Sequence, residues 1–77
     1  MNPKVIRKHW HNPANGRHYQ AHLYQDLLDA WILLRSWRGG RHRGNEKMAV
    51  VPSYEDGLAQ IHRINSVRTR HGYQLVK

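Results

Sequence analysis

Cysteine is absent from the 77 residues, which excludes disulfides and thiolate metal sites. A chain this short makes one domain, residues 1–77, whose core supplies only about 3–5 kcal/mol of net stability. Packing or association must therefore hold it together. Acidic residues are scarce: five Asp and Glu stand against thirteen Lys and Arg, a net charge of +8. Arginine outnumbers lysine nine to four, and seven histidines add positive charge at lower pH. A merely solubilising surface mixes both signs, so this bias points to a polyanionic partner. Long apolar runs are also missing. The longest, Ala30 to Leu34, falls far short of the roughly 20 residues that cross a bilayer. The start, Met1 to Lys8, has no apolar stretch of signal-peptide length. An anionic membrane surface would take a basic helix with a wholly apolar opposite face, and the one convincing helix needs its apolar side for the core. The expectation is a soluble, cytoplasmic chain with no membrane partner.

What is present centres on Ser36-Trp37-Arg38-Gly39-Gly40-Arg41-His42-Arg43-Gly44-Asn45. The apolar run from Ala30 opens there into ten residues holding three glycines and three arginines. Glycine allows sharp turns and close approach, and the guanidinium fork matches phosphate. Trp37 offers a flat face for a base or sugar. This reads as a nucleic-acid contact loop at a strand end.

Along the chain, Val5 to Trp10 is a short extended segment, and Asn12-Pro13 with Asn15-Gly16 is turn chemistry. From His18 to Tyr24 the pattern alternates strictly: Tyr19, Ala21 and Leu23 on one side, His18, Gln20 and His22 on the other. That predicts a half-buried strand completing a hairpin. The next stretch fits two readings. Tyr24, Leu27, Leu28 and Trp31 fall at helical spacing, whereas Asp26-Leu27-Leu28-Asp29 also makes a tight turn into a strand running from Ala30 to Trp37. Lys47 to Val51 is a further strand, ended by Pro52. Ser53 then caps a helix with Glu55 and Asp56 in its first turn. That helix should run from Tyr54 to about Arg70, with Tyr54, Leu58, Ile61, Ile64 and Val67 on one side, Gly57 within the stripe for close packing, and Arg63 and Arg70 solvated. Gly72 stops it, and Tyr73 to Val76 is a closing strand.

The order of these pieces resembles the WGR domain, over roughly Val5 to Val76. Arg17 to Leu23 matches that family's aromatic strand and Trp31 to Trp37 the strand leading to its signature. Tyr54 to Ala59 matches its helix start, and His71-Gly72-Tyr73 its ending. The resemblance implies an α+β fold: an antiparallel β-sheet with a single helix, in the C-terminal half, packed on one face. It thereby favours the strand reading of 30–37. It also implies nucleic-acid binding, because in poly(ADP-ribose) polymerases this module helps to recognise DNA breaks. The signature Trp packs there on a terminal nucleotide, and the signature Arg contacts phosphate or a neighbouring domain. Short stand-alone versions occur in bacteria. Trp37 carries over directly. The name-giving Trp-Gly-Arg stands here as Trp37-Arg38-Gly39 with Gly40-Arg41 beyond, so the Arg role falls to either Arg38 or Arg41.

The expected contact set is therefore Trp37 for stacking, Arg38, Arg41 and Arg43 for phosphates, with Arg35 and Lys47 flanking. Trp10 and Trp31 are expected in or near the core. The pairs His9/His11 and His18/His22 have ligand-compatible spacing, but no acid or cysteine stands beside them to complete a tetrahedral set, so no metal is expected. Turns and the helix start account for the acidic residues. No nucleophile elbow and no phosphate-binding glycine loop followed by Lys-Ser is present, so neither enzymatic activity nor a cofactor is expected. The expected function is binding of nucleic acid, DNA in preference to RNA. The alternative is a basic adaptor for an acidic protein partner, with Trp10 or Trp31 as its apolar anchor.

Overall fold

The computed structural model describes residues 5–39 and 42–77, His42 by its backbone alone. The described residues form five strands and one helix: β1 (Ile6–Asn12), β2 (Arg17–Gln25), β3 (Trp31–Gly39), β4 (His42–Val51), α1 (Tyr54–Arg70) and β5 (Gln74–Val76). The strands make one antiparallel sheet in the order β4-β3-β2-β1-β5, with α1 packed on one face. The fold is α+β.

Each connection follows from local chemistry. In the β1–β2 turn, Asn12 Oδ1 accepts from the Ala14 N–H and Asn15 Oδ1 from the Arg17 N–H, while Gly16 takes a positive φ of 72°. Asp26 organises the β2–β3 turn, its Oδ1 accepting from the N–H groups of both Leu28 and Ala30. The turn reading of Asp26 to Asp29 thus holds, and residues 31–39 are strand rather than helix. Ser53 caps α1 by accepting from the Asp56 N–H, and its hydroxyl donates to Asp56 Oδ2 at 2.7 Å. Gly72, at φ 90°, lets the chain leave the helix while the Tyr73 N–H bonds back to the Arg68 carbonyl.

Alternation decides what the helix covers. Ile6 and Trp10 of β1, Tyr19, Ala21 and Leu23 of β2, Trp31 and Leu33 of β3, and Val51 of β4 face it, and Ile61 and Ile64 close the core from above. A Cβ on Gly57 would stand 2.5 Å from Leu23 Cδ1, so glycine is what brings helix and sheet to this distance. Trp10 is fully buried and its indole N–H donates to Asn65 Oδ1 at 2.9 Å. As a sealed core residue, Trp10 is lost as the surface anchor of an adaptor. Trp31 is half-buried against Tyr54, ring centroids 5.3 Å apart.

One expectation is corrected. Residues 36–45 are not a ten-residue loop, because β3 runs to Gly39 and β4 starts at His42. Backbone pairing extends to Gly39 opposite His42, with a register shift between Trp37 and Gly39. Glycine in a strand often marks such a bulge.

Candidate nucleic-acid interface

The path of α1 creates the site. Its first turn lies against β3 through Tyr54 and Trp31, its middle crosses β2 at Gly57 and Leu23, and Asn65 reaches Trp10 on β1. The helix moves away from β3 and β4 as it advances. It thereby leaves the far ends of those two strands uncovered on the helix side. One cross-strand row shows the result: Leu75, Trp10, Tyr19, Trp37 and Asn45 are paired in turn across the sheet. Trp10 and Tyr19 are buried, and Trp37 keeps 36% of its surface in solvent.

The uncovered end is a groove of about 620 Å³ between the strands and the C-terminal end of α1. Arg17, Arg35, Arg38, Arg43, Lys47 and Arg68 contribute to its lining, together with Tyr19, Trp37, Asn45 and Tyr73. Six side chains are cationic and none is a carboxylate. The aromatic floor is ordered by stacking: the Tyr19 and Trp37 rings are nearly parallel, 12° apart with centroids at 5.9 Å. Arg68 stands over Tyr19 at 4.6 Å and over Tyr73 at 5.1 Å, so the helix end is tied to the sheet by cation–π contacts.

Of the residues expected from sequence, Arg35, Trp37, Arg43 and Lys47 meet in this groove. Arg38 follows Trp37 and belongs by alternation to the other side of the sheet, opposite His18. It lines both the groove and a depression on that other side. Arg41 lies outside the described residues. Arg63 and Arg70 are exposed and do not line the groove.

Sequence reasoning missed Arg17, Tyr19, Arg68 and Tyr73 as members of the site. A signal existed for two of them. Arg17 shares the parity of Tyr19 in β2, and Arg68 follows Ile61 and Ile64 at i+7 and i+4, on the stripe that faces the sheet.

Among the described residues no group of three or more His, Cys, Asp or Glu could hold a metal ion. No helix among them is long and apolar enough to cross a membrane. No protein-family model, curated protein or solved structure matches the chain.

Proposed function

We propose that this chain is a WGR-like nucleic-acid-binding domain that holds backbone phosphates in the β3–β4 groove and stacks a terminal or unpaired nucleotide on Trp37. The observation that carries the reading is six cationic side chains around a partly exposed indole, with no carboxylate in the lining. Guanidinium groups bond phosphate in charge-assisted pairs. Stacking of a base on an aromatic contributes about 1–3 kcal/mol and tolerates any sequence. In this proposal the domain binds rather than catalyses, uses no cofactor, acts in the cytoplasm, and takes DNA in preference to RNA. Preference for ends, nicks or single strands over intact duplex follows from stacking, because an internal base pair offers Trp37 no free face.

Fluorescence anisotropy on nicked, blunt, single-stranded and RNA ligands of matched length tests it. Log K should fall with log salt at a slope of about −0.7 to −0.9 per phosphate neutralised. Trp37→Ala should reduce the preference for ends, whereas Arg35→Ala should weaken all forms alike. An unchanged ranking of ligands in Trp37→Ala removes the stacking role, and salt-insensitive binding removes the groove. In the second case the basic-adaptor reading takes over, with an acidic protein as partner. Leu27 and Leu28, both almost fully exposed at the β2–β3 turn, are the apolar residues such a partner could cover.

A further inference from the structure

Among the described residues, no element covers the side of the sheet turned away from α1. Alternation places Arg7, His9 and His11 of β1, His18, Gln20 and His22 of β2, and Ser36 and Arg38 of β3 on it. His18 touches the rings of both His9 and His11. His9 Nε2 lies 2.8 Å from His18 Nδ1, and the two rings stack with centroids 5.0 Å apart. The His11 ring is 4.7 Å from that of His18. Further along, Arg7 Nε donates to His22 Nε2 at 3.4 Å, and the His22 ring is 4.6 Å from Tyr24. Two depressions of about 420 and 440 Å³ adjoin here and share Gln20 and Ser36. His18 and Arg38 border one, and Arg7, His9 and His22 the other.

The His9–His18 hydrogen bond holds one proton between two imidazole nitrogens. Protonating one ring keeps that bond, whereas protonating both breaks it and sets two cations side by side. Loss of water contact, then the charges of His11, His9 and Arg38, lower the pKa of His18, and burial followed by Arg7 lowers that of His22. The other elements supply little to offset this. Glu46 of β4, opposite Ser36, is a carboxylate on this side, while Gln74 and Val76 of β5 are neutral. The surface thus sets imidazole rings beside an amide and a hydroxyl between two arginines, with Glu46 bordering the depression that holds His18. A phosphate chain laid across it supplies the anion that makes protonation favourable. The rings and the Gln20 and Ser36 side chains suit unpaired bases, which stack on aromatics and expose their hydrogen-bonding edges. A duplex offers this surface only its phosphates.

We propose that the open side of the sheet is a second nucleic-acid surface, meeting the groove at Arg38, that takes single strands and takes up protons through the histidine group as it binds. An oligothymidylate of about 12 nucleotides is a suitable probe, being within the usual site size and carrying bases that do not titrate under these conditions. Its affinity, and that of its duplex with oligoadenylate, is measured between pH 7.5 and 5.5 at constant ionic strength.

Single-strand affinity should rise as pH falls, about tenfold per pH unit for each proton taken up, and the duplex should gain less. The double variant His18→Gln, His22→Gln should lose the rise and, with two stacking rings gone, bind single strands more weakly at pH 7.5 as well. Arg35→Ala with Lys47→Ala, which touch only the groove, should weaken binding at every pH and keep the rise, so failure of this proposal is distinguishable from failure of the groove. If the double variant melts early, His9→Gln, which removes the 2.8 Å pair, should show a partial loss of the rise. A rise that survives the histidine changes, no rise at all, or an equal rise for duplex each overturns the proposal. So does acid-dependent binding to phosphatidylserine vesicles without any to the oligonucleotide.

Discussion

Trp10 and Trp37 lie in one cross-strand row, separated only by Tyr19, yet one is sealed and the other half open. The difference follows from the path of α1, which covers Trp10, where Asn65 accepts from the indole N–H, and leaves Trp37 uncovered. Removing that acceptor leaves a buried N–H without a partner, a loss worth about 1–3 kcal/mol. Asn65→Ala should therefore lower the stability read from urea unfolding by that amount, and Asn65→Asp, which keeps an oxygen there, by less. Equal losses in the two variants would show that shape rather than the hydrogen bond matters. The contrast also marks where sequence reading ends at this scale. The pattern placed Trp10 in an extended segment and the family resemblance favoured a strand at Trp37, but which of them a helix covers depends on the direction in which that helix crosses the sheet. For the same reason Arg68 escaped notice. A charged residue on the apolar stripe looks like the end of the buried stripe, whereas its guanidinium in fact lies over two tyrosine rings beside the groove.

Among the elements, α1 was legible nearly to the residue, because Ser53, Glu55, Asp56 and Gly72 are local stop and start signals that need no tertiary partner. Strand β3 was not legible from periodicity. The residues that mimic a helical stripe, Leu27 and Leu28, turn out to be the exposed tip of a turn held by the Asp26 carboxylate. Two backbone N–H groups depend on that single oxygen. Asp26→Ala should destabilise the fold by about 1 kcal/mol or more, on the scale of a lost cap, and Asp26→Asn, with one oxygen retained, should recover part of it in thermal melting. The contact between α1 and β2 supports an opposite-sign argument. Gly57→Ala improves intrinsic helix propensity by about 1 kcal/mol, but the new methyl meets Leu23 at 2.5 Å. Leu23 is fully buried and has no room to yield. Overpacking of this kind costs about 1–3 kcal/mol, so the variant should melt lower than the parent. A higher melting temperature would mean that helix and sheet can separate slightly without loss.

At the scale of the molecule, charge is sorted along the sheet. Asp26 and Asp29 sit in the β2–β3 turn, and Glu55 and Asp56 lie just beyond Val51, which pairs with Trp31 at that same end. Four of the five acidic residues thus gather at one end, while the groove with its six cations occupies the other. The net charge was plain from composition, but its separation required the strand register. Histidine adds a dependence on pH to this distribution. The folded-state pKa values of His18 and His22 are both lowered from 6.5, so the folded chain binds fewer protons than the unfolded chain. Stability from these groups is fully present above pH 6.5 and is lost as pH falls through their folded-state values. The melting temperature of the free protein should accordingly decline on acidification from pH 7 toward 5.5, and His18→Gln should flatten the decline, since glutamine takes up no proton. Saturating oligothymidylate should flatten it as well if the open side of the sheet binds with proton uptake, because a ligand favouring the protonated folded state opposes the loss. A decline that is the same with and without His18 would assign the acid sensitivity to other groups and leave the histidine contacts without an energetic role.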